Sequence, residues 1–251
     1  MKYIINFIIQ VGRIFNTTLC IILHFPKILK NKKLVIEQMA IIGADSLPLV
    51  VLIGAFTGAI AAIQATVLFE KFGLIELAMP FLGGSIATAV LQELTPVLTA
   101  LVIAGRIGGS MAAQIGSMVV TEQIDALETM AIDKHRFLGM PRVSAALIMM
   151  PMLAIFSSIV AILGALVMVI IKFDITPTYY FSSIINYFNA IELWICLGKS
   201  ALFGFATAII GVYVGFYTEG GAEGVGNSTV RAFTISAALI LVLDAICGVV
   251  L

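Results

Sequence analysis

Charge is scarce in this chain. Its 251 residues carry 14 Lys and Arg and 14 Asp and Glu, or 11% charged side chains, against roughly 25% in a typical soluble domain. That scarcity excludes an ordinary soluble globular protein. Cysteine is nearly absent too: Cys20, Cys196 and Cys247 lie far apart in apolar surroundings, with no CxxC or Cys/His spacing. They read as small core residues, and neither a disulfide framework nor a metal site is expected. The two histidines, His24 and His135, both fall outside the long apolar runs. An intramembrane Ser/His or HExxH centre therefore has no candidate, and no catalytic residue is expected in this chain. The formal net charge of zero conceals a cluster of Lys2, Arg13, Lys27, Lys30, Lys32 and Lys33 ahead of the first long apolar segment. Crowding at one end of a membrane-like chain is poorly explained by nucleic-acid binding.

Apolar runs are what the chain has in abundance, with 61% hydrophobic residues. About 20 such residues cross the hydrocarbon core as a helix. Five stretches qualify, 48–68, 85–108, 143–171, 193–217 and 230–251, and they predict an all-α integral membrane protein. The second is expected to continue toward Gly116, and the third, which contains Pro151, to tilt or kink. Between the first two, residues 74–84 are apolar but too short to cross, and Pro80 with Gly83 and Gly84 predicts a re-entrant or surface-lying turn.

Ahead of the first span, Arg13 interrupts the apolar residues and no small-residue cleavage pattern follows, so a cleaved signal peptide is not expected. Asn6, Gln10, Arg13, Thr17, Cys20, His24 and Lys27 recur at spacings of four and three. They draw a weakly polar stripe down a helix whose other faces carry Ile, Phe, Leu and Val. This predicts a helix lying in the membrane interface, with a poor sixth span as the alternative. The lysines at 27, 30, 32 and 33 would anchor its end to anionic headgroups.

Lys and Arg flanking the spans set the orientation. The amino-terminal cluster, Arg106, Lys134, Arg136, Arg142 and Arg231 fall on one side, and only Lys71 and Lys172 on the other. The basic side is expected to be cytoplasmic, with the amino terminus there and the carboxyl terminus outside. Tyr179, Tyr180, Tyr187 and Trp194 then form an outer aromatic belt, and Tyr213 with Tyr217 an inner one.

Residues 121–142, TEQIDALETMAIDKHRFLGMPR, are a charged, helix-patterned island placed in the cytoplasm by this topology. Thr121 reads as an N-cap, with Glu122 and Asp125 in a first turn whose dipole favours acids. A helix from about Glu122 to Ala131 would place Ile124, Leu127, Met130 and Ala131 on one arc and Glu122, Asp125, Glu128 and Thr129 on the opposite one. Pattern alone leaves two readings open: a loop helix resting on the membrane, or a helix presented to a groove on a soluble partner.

Three blocks in order, ELTPVLTALVIAGRIG from Glu93, TEQIDAL from Thr121 and GGAEGVG from Gly220, resemble the signature blocks of the MlaE family. These are permease subunits of ABC lipid transporters associated with MCE-domain proteins. The resemblance spans nearly the whole chain. It implies one permease domain over 1–251, with an interfacial helix and basic anchor at 1–33, a transmembrane bundle of five helices at 48–251 and a cytoplasmic coupling loop at 121–142. It further implies a homodimer whose coupling helix, here Glu122 to Met130, binds a separate ABC ATPase through residues such as Glu122, Ile124, Asp125, Leu127 and Glu128. ATP would be used by that partner, with no cofactor bound by this chain. Lipid would pass between the inner membrane and a periplasmic MCE-type carrier, although related permeases also serve plastid inner envelopes. The sequence departs from the family pattern at Thr95 and Ala131, where glycine is common, at Gln114, where an acid is common, and at Asn227, where a basic residue can occur.

Three ionisable residues lie inside the spans, where a charge costs several kcal/mol unless paired or hydrated. Glu93, Lys199 and Asp244 each fall roughly 10 Å below the outer face at 1.5 Å per residue. They are expected to form one cluster lining an outward-opening cavity, where Lys199 meets a lipid phosphate. The alternative has Lys199 snorkelling outward and Glu93 meeting interfacial water. Arg106, at the other end of its span, is a headgroup-binding or packing candidate, with positive-inside anchoring an equal reading. Gly54/Gly58, Gly105/Gly109 and Gly211/Gly215 permit close helix approach. Residues 221–228 nearly fit the phosphate-binding pattern GxxxxGK[ST], but Asn227 replaces the lysine and a membrane helix precedes it. A tight turn between the last two spans is expected instead. The functional alternative, an ion-coupled secondary transporter, would require a coupling-ion site and repeats that five spans do not display.

Overall fold

The computed structural model describes the backbone of residues 2–73, 75–173 and 175–250, and their side chains except at 2–4, 6, 7, 27, 29, 75–78 and 173. The side chains of Lys2, Asn6 and Lys27, and all of Leu74, thus lie outside the described residues. Every regular element described is helical. In chain order these are α1 (Lys2–Leu23), a 3₁₀ segment (Phe25–Asn31), α2 (Lys32–Ile42), α3 (Leu47–Lys71), α4 (Ile75–Ala89), α5 (Thr95–Ile103), α6 (Gly109–Val120), α7 (Gln123–Thr129), α8 (Met140–Phe173), α9 (Pro177–Tyr187), α10 (Ala190–Phe216) and α11 (Gly221–Val250). Three π-helical turns, Val90–Leu94, Ala104–Gly108 and His135–Gly139, lead into α5, α6 and α8 without a break.

Among the described residues, five stretches are long and apolar enough to cross a membrane: Lys32–Lys71, Met79–Val120, His135–Lys172, Ala190–Phe216 and Gly221–Val250. The expected all-α membrane protein with five long apolar helices is borne out. The second span is longer than its apolar core because α4, α5 and α6 run end to end through π-turns, and α8 runs through Pro151 as one helix.

Residues 74–84 correct the sequence reading. From Ile75 they are helix α4, not a re-entrant turn. Pro80 and the glycine pair are explained by α9, an element the hydropathy pattern did not mark. The Ser183 hydroxyl of α9 donates to the Pro80 carbonyl at 2.7 Å and accepts the Gly84 N–H at 3.2 Å. A Cβ at Gly83 would stand 2.6 Å from the Tyr180 carbonyl oxygen. Glycine here serves a helix crossing rather than a chain reversal.

The chain divides into two compact units. One comprises residues 46–99 and 151–200. In it Leu82, Ile86 and Val90 pack with Ala161, Ala165, Val169 and the fully buried Tyr180. Tyr180 consequently belongs to the core and not to an aromatic belt. It donates to the Ile162 carbonyl at 3.3 Å, while Tyr179, Tyr187 and Trp194 are exposed. Gly54, Gly58 and Gly164 bring α3 and α8 together. A Cβ at Gly58 would fall 1.7 Å from the Ala161 carbonyl oxygen.

The second unit comprises residues 1–45, 100–150 and 201–250. Ala112, Ile210, Tyr213, Val214 and Ala232 form its centre, so Tyr213 likewise is core, with Tyr217 exposed. Gly211 meets the backbone of Gly108, where a Cβ would lie 2.9 Å from its carbonyl oxygen. Part of the polar stripe of helix α1 finds partners within its unit. The Arg13 guanidinium sits 5.0 Å from the centroid of the Tyr217 ring, Thr17 is buried and His24 bonds Asp133. Ile21 is fully buried and Ile14 packs against the centre of the unit, while Ile8, Val11, Phe15, Leu19 and Leu23 are exposed. The glycine-rich segment expected as a turn is the first two turns of α11. The reversal is instead 217–220, where Gly220 (φ 93) and Gly221 (φ 67) take left-handed backbone.

Candidate functional site

The island after α6 begins with a chain reversal. Thr121 ends α6 and does not cap α7: its N–H and hydroxyl both donate to the Ser117 carbonyl, at 3.0 and 2.8 Å, and its hydroxyl oxygen accepts from Gln123 at 2.9 Å. Glu122 then adopts φ 58, a conformation L side chains rarely take, and α7 starts at Gln123. The helix is thus shorter than the expected Glu122 to Ala131. It closes by the two hydrogen bonds of a Schellman motif, Ala131 N–H to Glu128 at 2.9 Å and Ile132 N–H to Leu127 at 3.0 Å. Ala131 holds φ 57 at the left-handed position where such motifs favour glycine. Both ends of α7 are therefore fixed by non-glycine residues in left-handed backbone.

Only Ile124 of α7 is buried; Leu127 is half-buried, and Glu122, Asp125 and Glu128 are exposed. Met130 and Ala131, expected on the packed arc, are exposed, because the helix has ended before them. Lys134 binds Glu128 at 2.9 Å and stands 5.7 Å from the Phe216 ring centroid. Asp133 joins the loop to α1. One carboxylate oxygen accepts the backbone N–H groups of His135 and Arg136 at 2.8 and 3.3 Å, and the other bonds His24 Nε2 at 2.9 Å. Partial burial opposes ionisation of Asp133, but the His24 bond and the two backbone donors prevail and hold its carboxyl below the usual value. Past the π-turn, the buried Arg142 donates to the Leu138 carbonyl at 3.0 Å and to Gln114 at 3.2 Å. Gln114 therefore serves Arg142 as a neutral acceptor.

In the other unit, Lys199 of α10 meets Glu93. The Lys199 ammonium donates to Glu93 Oε1 at 2.8 Å and to the Gln92 carbonyl at 3.1 Å. Its side chain is 2% exposed and that of Glu93 is 51% exposed, so Lys199 does not snorkel. Glu93 lies in the π-turn Val90–Leu94, where the Thr95 N–H reaches back five residues to Val90. That widening accompanies a carbonyl, Gln92, which accepts from a side chain on another helix, a recurrent use of π-turns at functional positions.

Sequence reasoning missed Glu192. It is buried on α10 with one carboxylate oxygen lacking a hydrogen-bond partner. The spacing of Glu192, Cys196, Lys199 and Ser200, all buried, puts it on the helix face that carries Lys199. Asp244 and Arg106 belong to the unit that contains α7. Asp244 is half-buried on α11, and Arg106 is half-buried in the π-turn Ala104–Gly108. Among the described residues no group of three His, Cys, Asp or Glu side chains is placed to hold a metal ion.

Comparison with known proteins gives a consistent result. The family model described as "Permease MlaE" matches residues 35–250. A Rickettsia felis protein named "Probable ABC transporter permease protein" is 40% identical over 213 residues, 83% of this chain and 79% of that one. A similarly named Synechocystis protein is 38% identical over 86% of this chain and 81% of its own. One from Pyropia yezoensis is 34% identical over 83% and 78% respectively.

Proposed function

Because the chain belongs to the MlaE permease family, we propose that it is the non-catalytic membrane subunit of an ABC transporter. In this reading two copies move phospholipid or a related lipid between the inner membrane and a periplasmic MCE-type carrier. ATP is hydrolysed by a separate subunit that docks on α7. The amino terminus and α7 face the cytoplasm, in keeping with the exposed Lys30, Lys32 and Lys33.

The observation that carries the reading is the construction of α7. A seven-residue helix is too short to hold itself together in water, yet this one is locked at both ends and anchored by Ile124, with Glu122, Asp125 and Glu128 outward. Such a helix keeps its shape while a partner pushes on it.

The buried ammonium of Lys199 supports the lipid end of the reading. The half-exposed Glu93 carboxylate and the Gln92 carbonyl accept from it, and a phosphate headgroup could replace the carboxylate as its counter-ion. Asp244 is proposed as a further lining residue and Arg106 as a headgroup or packing contact. Nucleotide binding is assigned elsewhere because the glycine-rich start of α11 has Asn227 in place of the required lysine.

The test is reconstitution with the ATPase. Replacing Asp125, Leu127 and Glu128 together by alanine should leave the chain inserted but reduce ATPase capture or lipid-stimulated ATP turnover by about tenfold or more, the loss of roughly 1.4 kcal/mol or more of docking energy. Undiminished assembly and transport would refute docking on α7. Lipid movement driven by an ion gradient in vesicles without the ATPase would instead establish a secondary transporter.

A further inference from the structure

We propose that the cavity between the end of α1 and the loop after α7 binds the phosphate of an anionic lipid headgroup, a second lipid site separate from the Lys199 pair. The cavity measures about 390 Å³ and is lined by His24, Asn31, Asp133 and Arg136 together with the apolar Ile132 and Phe137. That volume is within the range of small-molecule sites.

The charges at this cavity are unevenly committed. Asp133, its carboxylate, is engaged on both oxygens by His24 and by the His135 and Arg136 N–H groups. Lys134 is bonded to Glu128. The guanidinium of Arg136, half-buried, makes no ion pair among the described residues. A guanidinium at a cavity wall, with an amide from Asn31 nearby, presents the planar donor fork that matches a phosphate. Lys30 and Lys32 flank Asn31 in sequence and are exposed, which adds positive potential without filling the cavity.

The apolar surroundings distinguish a lipid from a free anion. Ile132 and Phe137, which line the cavity, are exposed, and so is Leu23, the neighbour of His24 in sequence. An interfacial α1 puts this wall at headgroup depth. A lipid can therefore rest its chains on Ile132 and Phe137 while its phosphate meets Arg136. Such a lipid would bridge α1 to the segment that closes α7, so occupancy would stiffen the base of the docking helix.

The test uses the full chain, purified in detergent and stripped of lipid, with phosphatidylglycerol titrated in native mass spectrometry. One phosphatidylglycerol should bind tightly, and Arg136→Gln and Asn31→Leu should each weaken it, the former by about tenfold or more. Millimolar inorganic phosphate should fail to displace the lipid. A photoreactive phosphatidylglycerol added to the unaltered chain should crosslink to peptides covering residues 24–31 or 131–137. Equal affinity in Arg136→Gln, displacement by inorganic phosphate, or crosslinks confined to other peptides would each overturn the proposal. The crosslinking arm holds even if a variant fails to fold.

Discussion

Ala131 carries more structural information than its size suggests. A left-handed backbone costs an L-residue roughly 1–2 kcal/mol, a cost glycine avoids. Its φ of 57 means that glycine should fit better, offset in part by the entropy glycine loses on folding. Ala131→Gly should therefore stabilise the close of α7 by about 0.5–1 kcal/mol, and Ala131→Val should destabilise it by more than about 1 kcal/mol. Amide exchange at Ala131 and Ile132 reads both effects, slowing in the first variant and quickening in the second. Unchanged exchange in both would show that the turn is not strained. At this scale the sequence was informative where chemistry clashed with surroundings. Glu93 and Lys199 stood out because ionisable groups interrupt apolar runs, although their pairing across 106 residues needed the fold. The Gln92 carbonyl left no signal, since any residue supplies one. Glu192 did leave one, in its spacing from Lys199, which a reading of the buried face of α10 would have found.

Elements were legible where hydropathy alone decides them and misread where packing does. The five long helices follow from apolar length, which is why they were placed correctly. Helix α4 was read as a turn because Pro80, Gly83 and Gly84 usually break helices, and only the close approach of α9 explains their presence. The same limit applies to Gly54 and Gly58: their spacing announced close packing, but nothing in it identified α8 as the partner. With the Gly58 position pressed against the Ala161 carbonyl, Gly58→Leu cannot be absorbed by side-chain rotation. It should force α3 from α8 and cost about 1–3 kcal/mol or more. Gly198, with nothing within 4 Å of an added Cβ, is the matched control, and Gly198→Ala should be nearly neutral. Resistance of the purified chain to thermal aggregation would compare the two, and equal losses would argue against a specific α3 to α8 contact.

For the whole molecule, the Lys199 pair gives an asymmetric expectation. Lys199→Met removes the buried charge and leaves Glu93, which is half-exposed, without its ammonium partner, so under the proposed function the chain should assemble while lipid transport falls. Glu93→Gln removes the carboxylate from a buried ammonium and should cost several kcal/mol, approaching the roughly 3–5 kcal/mol of a broken buried pair. Yield after membrane extraction reports assembly, and ATP-driven lipid transfer between vesicles reports transport. Full transport by Lys199→Met would remove the lysine from the lipid path. Composition alone identified the class of molecule, but the arrangement of α1 did not follow from it. A polar stripe on an apolar helix reads equally as a face toward water, and the contacts of Arg13 with Tyr217 and of His24 with Asp133 are tertiary facts. The His24 contact of α1 also has a consequence for biosynthesis. His24 is made 109 residues before Asp133, so at roughly 5–20 residues per second α1 waits on the order of 5–20 seconds for its first polar partner. During that interval α1 has no long-range polar partner, and its contact with the loop after α7 can form only once the first half of the chain has been made.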